Sequence, residues 1–597
     1  MREPNRPGLA RTAPRAAKGG RHRGVLPGAL VALAVSITAC SREDSSPAAD
    51  LLRYVPADTP YAFVTSRPLP APLRRRLGDH YAAQLGTQRS ALSELRAELA
   101  GAPDAAAPEI DAMLDVADAL LFEFEGRTTA SELRELGVEP VPRSVLYGLG
   151  PLPAVRIEIA DADRLDAMLD RVEARAGITA QRAIRDGRAY RRYELGAVDA
   201  VIAIAPGAPG TPAHLVAGLL PEPLLDAWLP LLLGLAPPPS SLAADGAIER
   251  LIERHGFTGF GEGFINLDAL VALLTGGQGS GLEVARALGA GDVRLSGECR
   301  DLTADLVASM PRMVLGVTAA EDDRLAVRGI WESSATVAGY LQRLAAPVPG
   351  LGSPTDGLFA LGLGIELPQL RNAIDALLRH LVDTGRNCDW VDPDRIRAAR
   401  PRLNLALGPM TAGIKGFNLR VEDLQLDPAT LQPTDVRAGL LAAVDDPRGV
   451  LALGALLDPA LASLDVPADG SLVALPRTPG MPAAAPPLQV AIRDRALLLL
   501  AGTDAARIAS PLLDAAPSNP APLLVADYGV QRIVQRFGDP IDRAAERMDA
   551  RGETDLAADT RRRLASFRAQ AALFERLRLS LYANEQGLVV EQVMELR

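Results

Sequence analysis

The chain has 597 residues, 48% apolar and 23% charged, with a formal net charge of −11. That balance excludes a disordered or collagen-like polypeptide. At roughly 150 residues per domain the length suits about four domains or two large lobes, with ample apolar material for a core.

The amino terminus is basic, with Arg2, Arg6, Arg11, Arg15, Lys18, Arg21 and Arg23 against the single acid Glu3, which leaves a formal −17 on the rest. An uncharged stretch follows, Gly24 to Ala39. It is shorter than the roughly 20 residues that a membrane span needs, and it has the layout of a secretory leader. It closes on Ile37-Thr38-Ala39-Cys40 and turns polar at Ser41-Arg42-Glu43-Asp44. This order resembles the lipobox of bacterial lipoproteins: a branched aliphatic residue and two small ones before the cysteine that receives diacylglycerol. The resemblance implies a leader over 1–39, lipid attachment at Cys40, a flexible tether over 40–53 and a membrane-held protein facing the periplasm. Ser41 after the cysteine resembles the pattern of lipoproteins sorted to the outer membrane. Two or more acyl chains anchor stably where one binds only marginally.

Tyr54-Val55-Pro56-Ala57-Asp58-Thr59-Pro60-Tyr61-Ala62-Phe63-Val64 comes next. It resembles the opening of uncharacterised bacterial exported proteins, in which a Pro-Ala-Asp-Thr-Pro turn leads into the first strand. No catalytic residue is implied by that likeness.

Further along, one pattern recurs: an alternating apolar stretch, a capping residue, a helix. Val155, Ile157 and Ile159 precede a cap at Asp161 and a helix carrying Leu165, Leu169 and Val172. Leu325 and Val327 lead to a cap at Ser333 and to Val337, Leu341 and Leu344. Phe359, Leu361, Leu363 and Ile365 lead to Leu370, Ile374, Leu377 and Leu381. Leu488, Val490 and Ile492 have a return strand at Leu497 and Leu499, a cap at Thr503 and a helix with Ile508 and Leu512. Looser copies start near His214 and Phe260. Pro- and Gly-rich punctuation falls at 205–210, 236–239, 347–350 and 476–480. The stretch 346–356 separates an amino-terminal lobe, 54–345, from a carboxy-terminal lobe, 357–597. The expected fold class is α+β: antiparallel sheets with helices on one face, repeated strand-hairpin-helix units in two lobes, and an internal duplication. At the carboxyl end Gly552 ends one helix and Thr554 caps the next, with Leu556, Leu564, Phe567, Ala571 and Phe574 along one side. A hairpin then closes the chain through Leu577, Leu579 and Leu581, with a second strand from Leu588 to Leu596.

With Cys40 lipidated, Cys299 and Cys388 remain, in a compartment where a disulfide persists. They either pair, closing a loop of about 90 residues, or are two separately buried thiols.

The motif search returns mostly exclusions. His80, His214, His255 and His380 are not spaced as metalloprotease ligands, and Lys415, the lone lysine beyond the leader, lacks a phosphate-binding glycine loop. Ser280 is nearest to a hydrolase elbow, but Gln278 breaks the frame. Gly259-Phe260-Gly261-Glu262-Gly263 lacks the third glycine of a dinucleotide fingerprint and reads as a strand with close backbone approach. Asp111, Asp115 and Asp118 read as a solvated helix face, and Asp163, Asp166 and Asp170 as helix-start acids. Arg74-Arg75-Arg76 is the one dense basic spot. Aromatic content of 4%, with only Trp228, Trp331 and Trp390 as tryptophans, excludes nucleic-acid platforms. No cofactor, metal or catalytic set is indicated. The expected role is non-enzymatic binding of another envelope component, with a protein as partner. The alternatives are a carrier or sensor of an apolar ligand, and a hydrolase whose site converges only in three dimensions, with His214, His255 and His380 as bases.

Overall fold

The computed structural model describes residues 49–597, apart from stretches within 86–107, 208–210, 276–280, 290–295, 386–389, 428–431 and 478–485. Cys40, the lipobox and most of the glycine run around Ser280 lie outside the described residues.

The fold is α+β, with nineteen strands in one antiparallel sheet. The first half holds β1 (Tyr61–Val64), β2 (Ser144–Leu149), β3 (Leu152–Glu158), β4 (Gln181–Arg185), β5 (Arg188–Glu194), β6 (Val198–Ala205), β7 (His214–Pro221), β8 (Glu262–Asn266), β9 (Arg312–Ala320) and β10 (Arg324–Glu332). The second holds β11 (Phe359–Gly364), β12 (Ile414–Leu426), β13 (Pro433–Val444), β14 (Val473–Ala474), β15 (Leu488–Arg493), β16 (Ala496–Ala501), β17 (Pro522–Tyr528), β18 (Phe574–Asn584) and β19 (Gly587–Leu596).

Followed by hydrogen bonding, the spatial order is β4-β5-β6-β7-β3-β2-β1-β8-β9-β10, then β19-β18-β17-β11-β12-β13-β16-β15-β14. Outward from the β10–β19 seam, both halves share a closing hairpin, a single strand, the opening strand and the four strands that follow it; the first half then ends in the hairpin β5-β4 and the second in the short strand β14. β1 corresponds to β11, β2 to β12, β3 to β13, β6 to β15, β7 to β16, β8 to β17, β9 to β18 and β10 to β19. This is the connectivity of a pseudo-dyad through the seam, where Arg328 of β10 pairs with Glu591 of β19 at 2.8 Å. The two lobes expected from sequence therefore share one sheet. The cause is that β10 and β19 each end a copy with an open edge, and an open edge is satisfied by pairing.

The helices between strands follow the same symmetry. Ala71–Leu85, between β1 and β2, touches Thr554–Ala571, between β17 and β18; Leu367–Thr384, between β11 and β12, touches Gly297–Ser309, between β8 and β9. At the second contact Cys299 and Cys388 form a disulfide, packed with Leu302 and Val391.

Several local expectations are corrected. The body begins before residue 53, since Leu51 and Leu52 are buried in the first core and not part of a tether. Asp161 does cap its helix, accepting from Arg164 N. Ser334, not Ser333, caps Ala335–Leu344, and Thr503 does not cap Ala506–Leu513. Thr554 is the first helical residue behind Glu553, and Leu556 and Phe567 are exposed while Ala557, Leu564 and Ala571 face inward. Asp115 and Asp118 are paired with Arg96 and Arg89 at 2.7 and 2.8 Å, so that face is not merely solvated.

Candidate functional site

Side chains alternate across a strand, so the register sorts the sheet into two faces. One face is closed. Its rows include Val201, Ala154, Tyr147, Ala62, Val314 and Ile330 in the first half, and Val589, Val525, Leu441, Leu498 and Ala491 in the second, all buried. The helices Leu225–Leu232, Ala247–His255 and Ala506–Leu513 supply the cover, through Leu229, Leu232, Ile248, Leu251, Ile508 and Leu512. Gly218 belongs to this packing: a Cβ there would lie 2.8 Å from Leu232 Cδ1.

The other face is apolar too, but open. One row crosses sixteen strands without a polar residue. In the first half it runs Ile202, Ala217, Val155, Leu146, Phe63, Gly263, Leu315, Gly329. Beyond the seam it continues Val590, Leu581, Leu524, Leu363, Phe417, Ala442, Leu497, Ile492. Leu315 is 39% exposed, and Gly329, Val590, Leu581, Leu524, Leu363 and Phe417 are half-buried. A parallel row carries Val317, Val327, Leu579, Leu361, Leu419 and Leu440, broken only by Gln592. Phe63 lies across Gly263, where a Cβ would come within 2.2 Å of its ring, so the expected close approach at the Gly-rich strand exists and serves this face.

Cover on the open face is heaviest at its ends, and near the seam Ala335–Leu344 rests against β18 and β19, where Ala583 is buried. Ala162–Ala176 seats Leu165 and Met168 over Ile204 and Leu215 at one end. At the other, Leu451, Leu461, Leu464, Val466 and Ile492, together with Arg448 and Asp465, line a cavity of about 380 Å³. The row of sixteen thus runs into that cavity through Ile492. Near the seam, Ala71–Leu85 packs through Leu73 and Leu77 beside Leu325 and Met594. Its counterpart Leu367–Thr384 carries Leu370, Ile374, Leu377, Leu378 and Leu381 yet has no fully buried residue. With strands about 4.8 Å apart, sixteen give a track of roughly 70 Å, against about 15 Å for the acyl depth of one leaflet.

The polar sites do not assemble into a catalytic set. His255, on Ala247–His255, bonds Glu332 at 3.0 Å and faces Gln586 at 3.4 Å, and it meets no hydroxyl or thiol in these bonds. Burial raises the Glu332 carboxyl, but bonds from His255 and Arg312 outweigh this and hold it at about 2. A cavity of about 400 Å³ beside them is lined by Arg250, Leu251, Arg254 and Arg312. His214 sits on β7, buried, with its pKa lowered by that burial, and His380 is exposed on Leu367–Thr384. The three histidines occupy three separate environments and share no partner. Among the described residues, no group of His, Cys, Asp and Glu is placed to hold a metal ion, and no helix is long and apolar enough to cross a membrane.

Glu262 is 2% exposed. Its Oε1 accepts from Gly259 N at 2.8 Å and Gly261 N at 3.1 Å, while Oε2 meets no hydrogen-bond partner. Burial pushes its pKa up to about 7 against those two amides. A folded pKa above the unfolded value of about 4.3 means the native state holds the extra proton between these limits, so stability falls as pH rises through that window, by about 3 kcal/mol. Denaturant melts at pH 5 and pH 8 should show this loss in the parent, and Glu262→Gln should remove its contribution to the slope.

Sequence reasoning missed the open face because apolar positions on covered and uncovered faces look alike in a string. One signal was present: Ala496–Ala501 reads Ala-Leu-Leu-Leu-Leu-Ala, a strand apolar on both sides. It also missed a second basic spot, on Pro393–Ala406, where Arg395, Arg397, Arg400 and Arg402 lie within eight residues.

No protein family, no curated protein and no solved structure matches the chain.

Proposed function

We propose that the chain is a non-catalytic envelope lipoprotein, anchored through Cys40, whose open sheet face takes up the acyl chains of an apolar ligand. The observation that carries this reading is the half-exposed sixteen-strand row, set against an opposite face whose apolar rows are buried beneath helices. Apolar surface left in water is unfavourable by roughly 25 cal/mol per Å², and each acyl methylene laid on it gains about 0.8 kcal/mol. Helices cap both ends of the row and most of its members are only half exposed. Flexible chains fit such a space better than a folded protein partner, so an apolar ligand is favoured over the protein contact that composition suggested.

Titration with a fluorescent fatty acid is expected to saturate, and the double variant Leu363→Gln, Leu581→Gln to weaken binding about tenfold or more. Absence of saturable binding to the parent protein rules the reading out. The anchor has its own test. Cys40→Ser should abolish palmitate labelling and shift the protein out of the membrane fraction, whereas unchanged fractionation with no label in the parent contradicts the attachment.

A further inference from the structure

On an acidic protein, one helix presents a basic, apolar face whose single acid, Asp394 in its first turn, is paired with Arg397. From Arg395 through Val421 the chain contains no Asp or Glu, although it carries 74 acidic residues in all. Within Pro393–Ala406, Arg395, Ala398, Arg402 and Leu405 recur at i, i+3, i+7 and i+10, one stripe of the helix, and all four are exposed. The opposite side carries Ile396, packed against the disulfide cluster, and Arg400, paired with Asp375 at 3.2 Å. The stripe is therefore the outward face. Leu405 at one end is 84% exposed, and Trp390, just ahead of the helix, is 51% exposed.

Arginines interleaved with small and apolar residues, flanked by a tryptophan and a leucine in water, form a surface suited to the headgroup region of a bilayer. There the guanidinium groups meet phosphates while Trp390 and Leu405 reach the acyl boundary. We infer that Pro393–Ala406, with Trp390, docks on an anionic lipid leaflet. The charge sign sets the partner: the surrounding protein is acidic and would be repelled, so this helix supplies the local attraction. A nucleic acid would satisfy the arginines but leave Leu405 without a partner. The disulfide Cys299–Cys388 fixes where the helix sits, because Cys388 lies just before it and Cys299 belongs to the first half. This inference stands on the helix and its charge, independently of what the open sheet face binds.

The full chain, reconstituted in nanodiscs of phosphatidylglycerol or of phosphatidylcholine, allows a direct test by hydroxyl-radical footprinting of Trp390 and Leu405. Labelling of both is expected to fall at least threefold in phosphatidylglycerol relative to phosphatidylcholine. The variant Arg395→Glu, Arg397→Glu, Arg402→Glu should return it to the phosphatidylcholine level, with an unchanged melting temperature as the control for folding. Equal labelling in the two lipids overturns the inference, and so does protection that survives charge reversal. Protection produced by a single-stranded oligonucleotide and not by phosphatidylglycerol overturns it in favour of a nucleic-acid surface.

Discussion

Replacing Leu498 by Asp should abolish cooperative folding of the second half, whereas the same change at Leu581 should leave a folded protein. Leu498 is fully buried on the closed face, in a cluster with Leu441, Leu500, Ile508 and Leu512. Removing a buried leucine costs about 2–5 kcal/mol, and an unpaired carboxylate in its place adds several more. The sum approaches the whole stability of an ordinary domain, about 5–15 kcal/mol. Leu581 lies on the open face, half-buried, where a carboxylate reaches water and the cost is about 1–2 kcal/mol. Thermal melts followed by circular dichroism distinguish the cases. A cooperative melt for Leu498→Asp, or loss of the fold for Leu581→Asp, would reverse the assignment of the two faces.

Loss of the Cys299–Cys388 bond should have the next largest effect. The bridge closes a sequence separation of 89 residues and ties the Gly297–Ser309 helix of the first half to the segment between Leu367–Thr384 and Pro393–Ala406. In the chain-entropy account a loop of this size contributes up to about 4 kcal/mol. Cys299→Ser with Cys388→Ser, or reduction of the parent, should lower the melting temperature by on the order of 10 °C. Because Leu367–Thr384 and Pro393–Ala406 have no fully buried residue of their own, the loss should be local. Amide exchange is expected to accelerate first and most over both helices, ahead of the closed-face strands. Uniform acceleration, or none, would show that the bridge does not hold this layer.

The parts of the fold that the sequence revealed are the local ones. The strand ending at Glu158 and the Asp161 cap were legible because both write their signals within a few residues, but the sides are reversed: Arg156 and Glu158 are buried, and Val155 and Ile157 are half-exposed. The carboxy-terminal hairpin Phe574–Asn584 with Gly587–Leu596 was legible for the same reason. The recurring strand-then-helix grammar reflects a real repetition of connectivity. What joins the copies was not legible, since β10 and β19 meet across about 260 residues and the Arg328–Glu591 pair carries no local mark. The Ser333 and Ser334 pair shows a finer limit: two adjacent hydroxyls suit the cap equally, and the path of the chain out of β10 decides between them. The face on which Leu363 and Leu581 lie depended on register, and its openness on helices that stop short of it.

Native mass spectrometry of the protein extracted from its own membrane tests the central claim most directly. The account predicts masses above that of the anchored polypeptide, from noncovalent acyl lipids, that decline in the Leu363→Gln, Leu581→Gln variant. A spectrum containing only the polypeptide and its anchor, in the parent as in the variant, would contradict it.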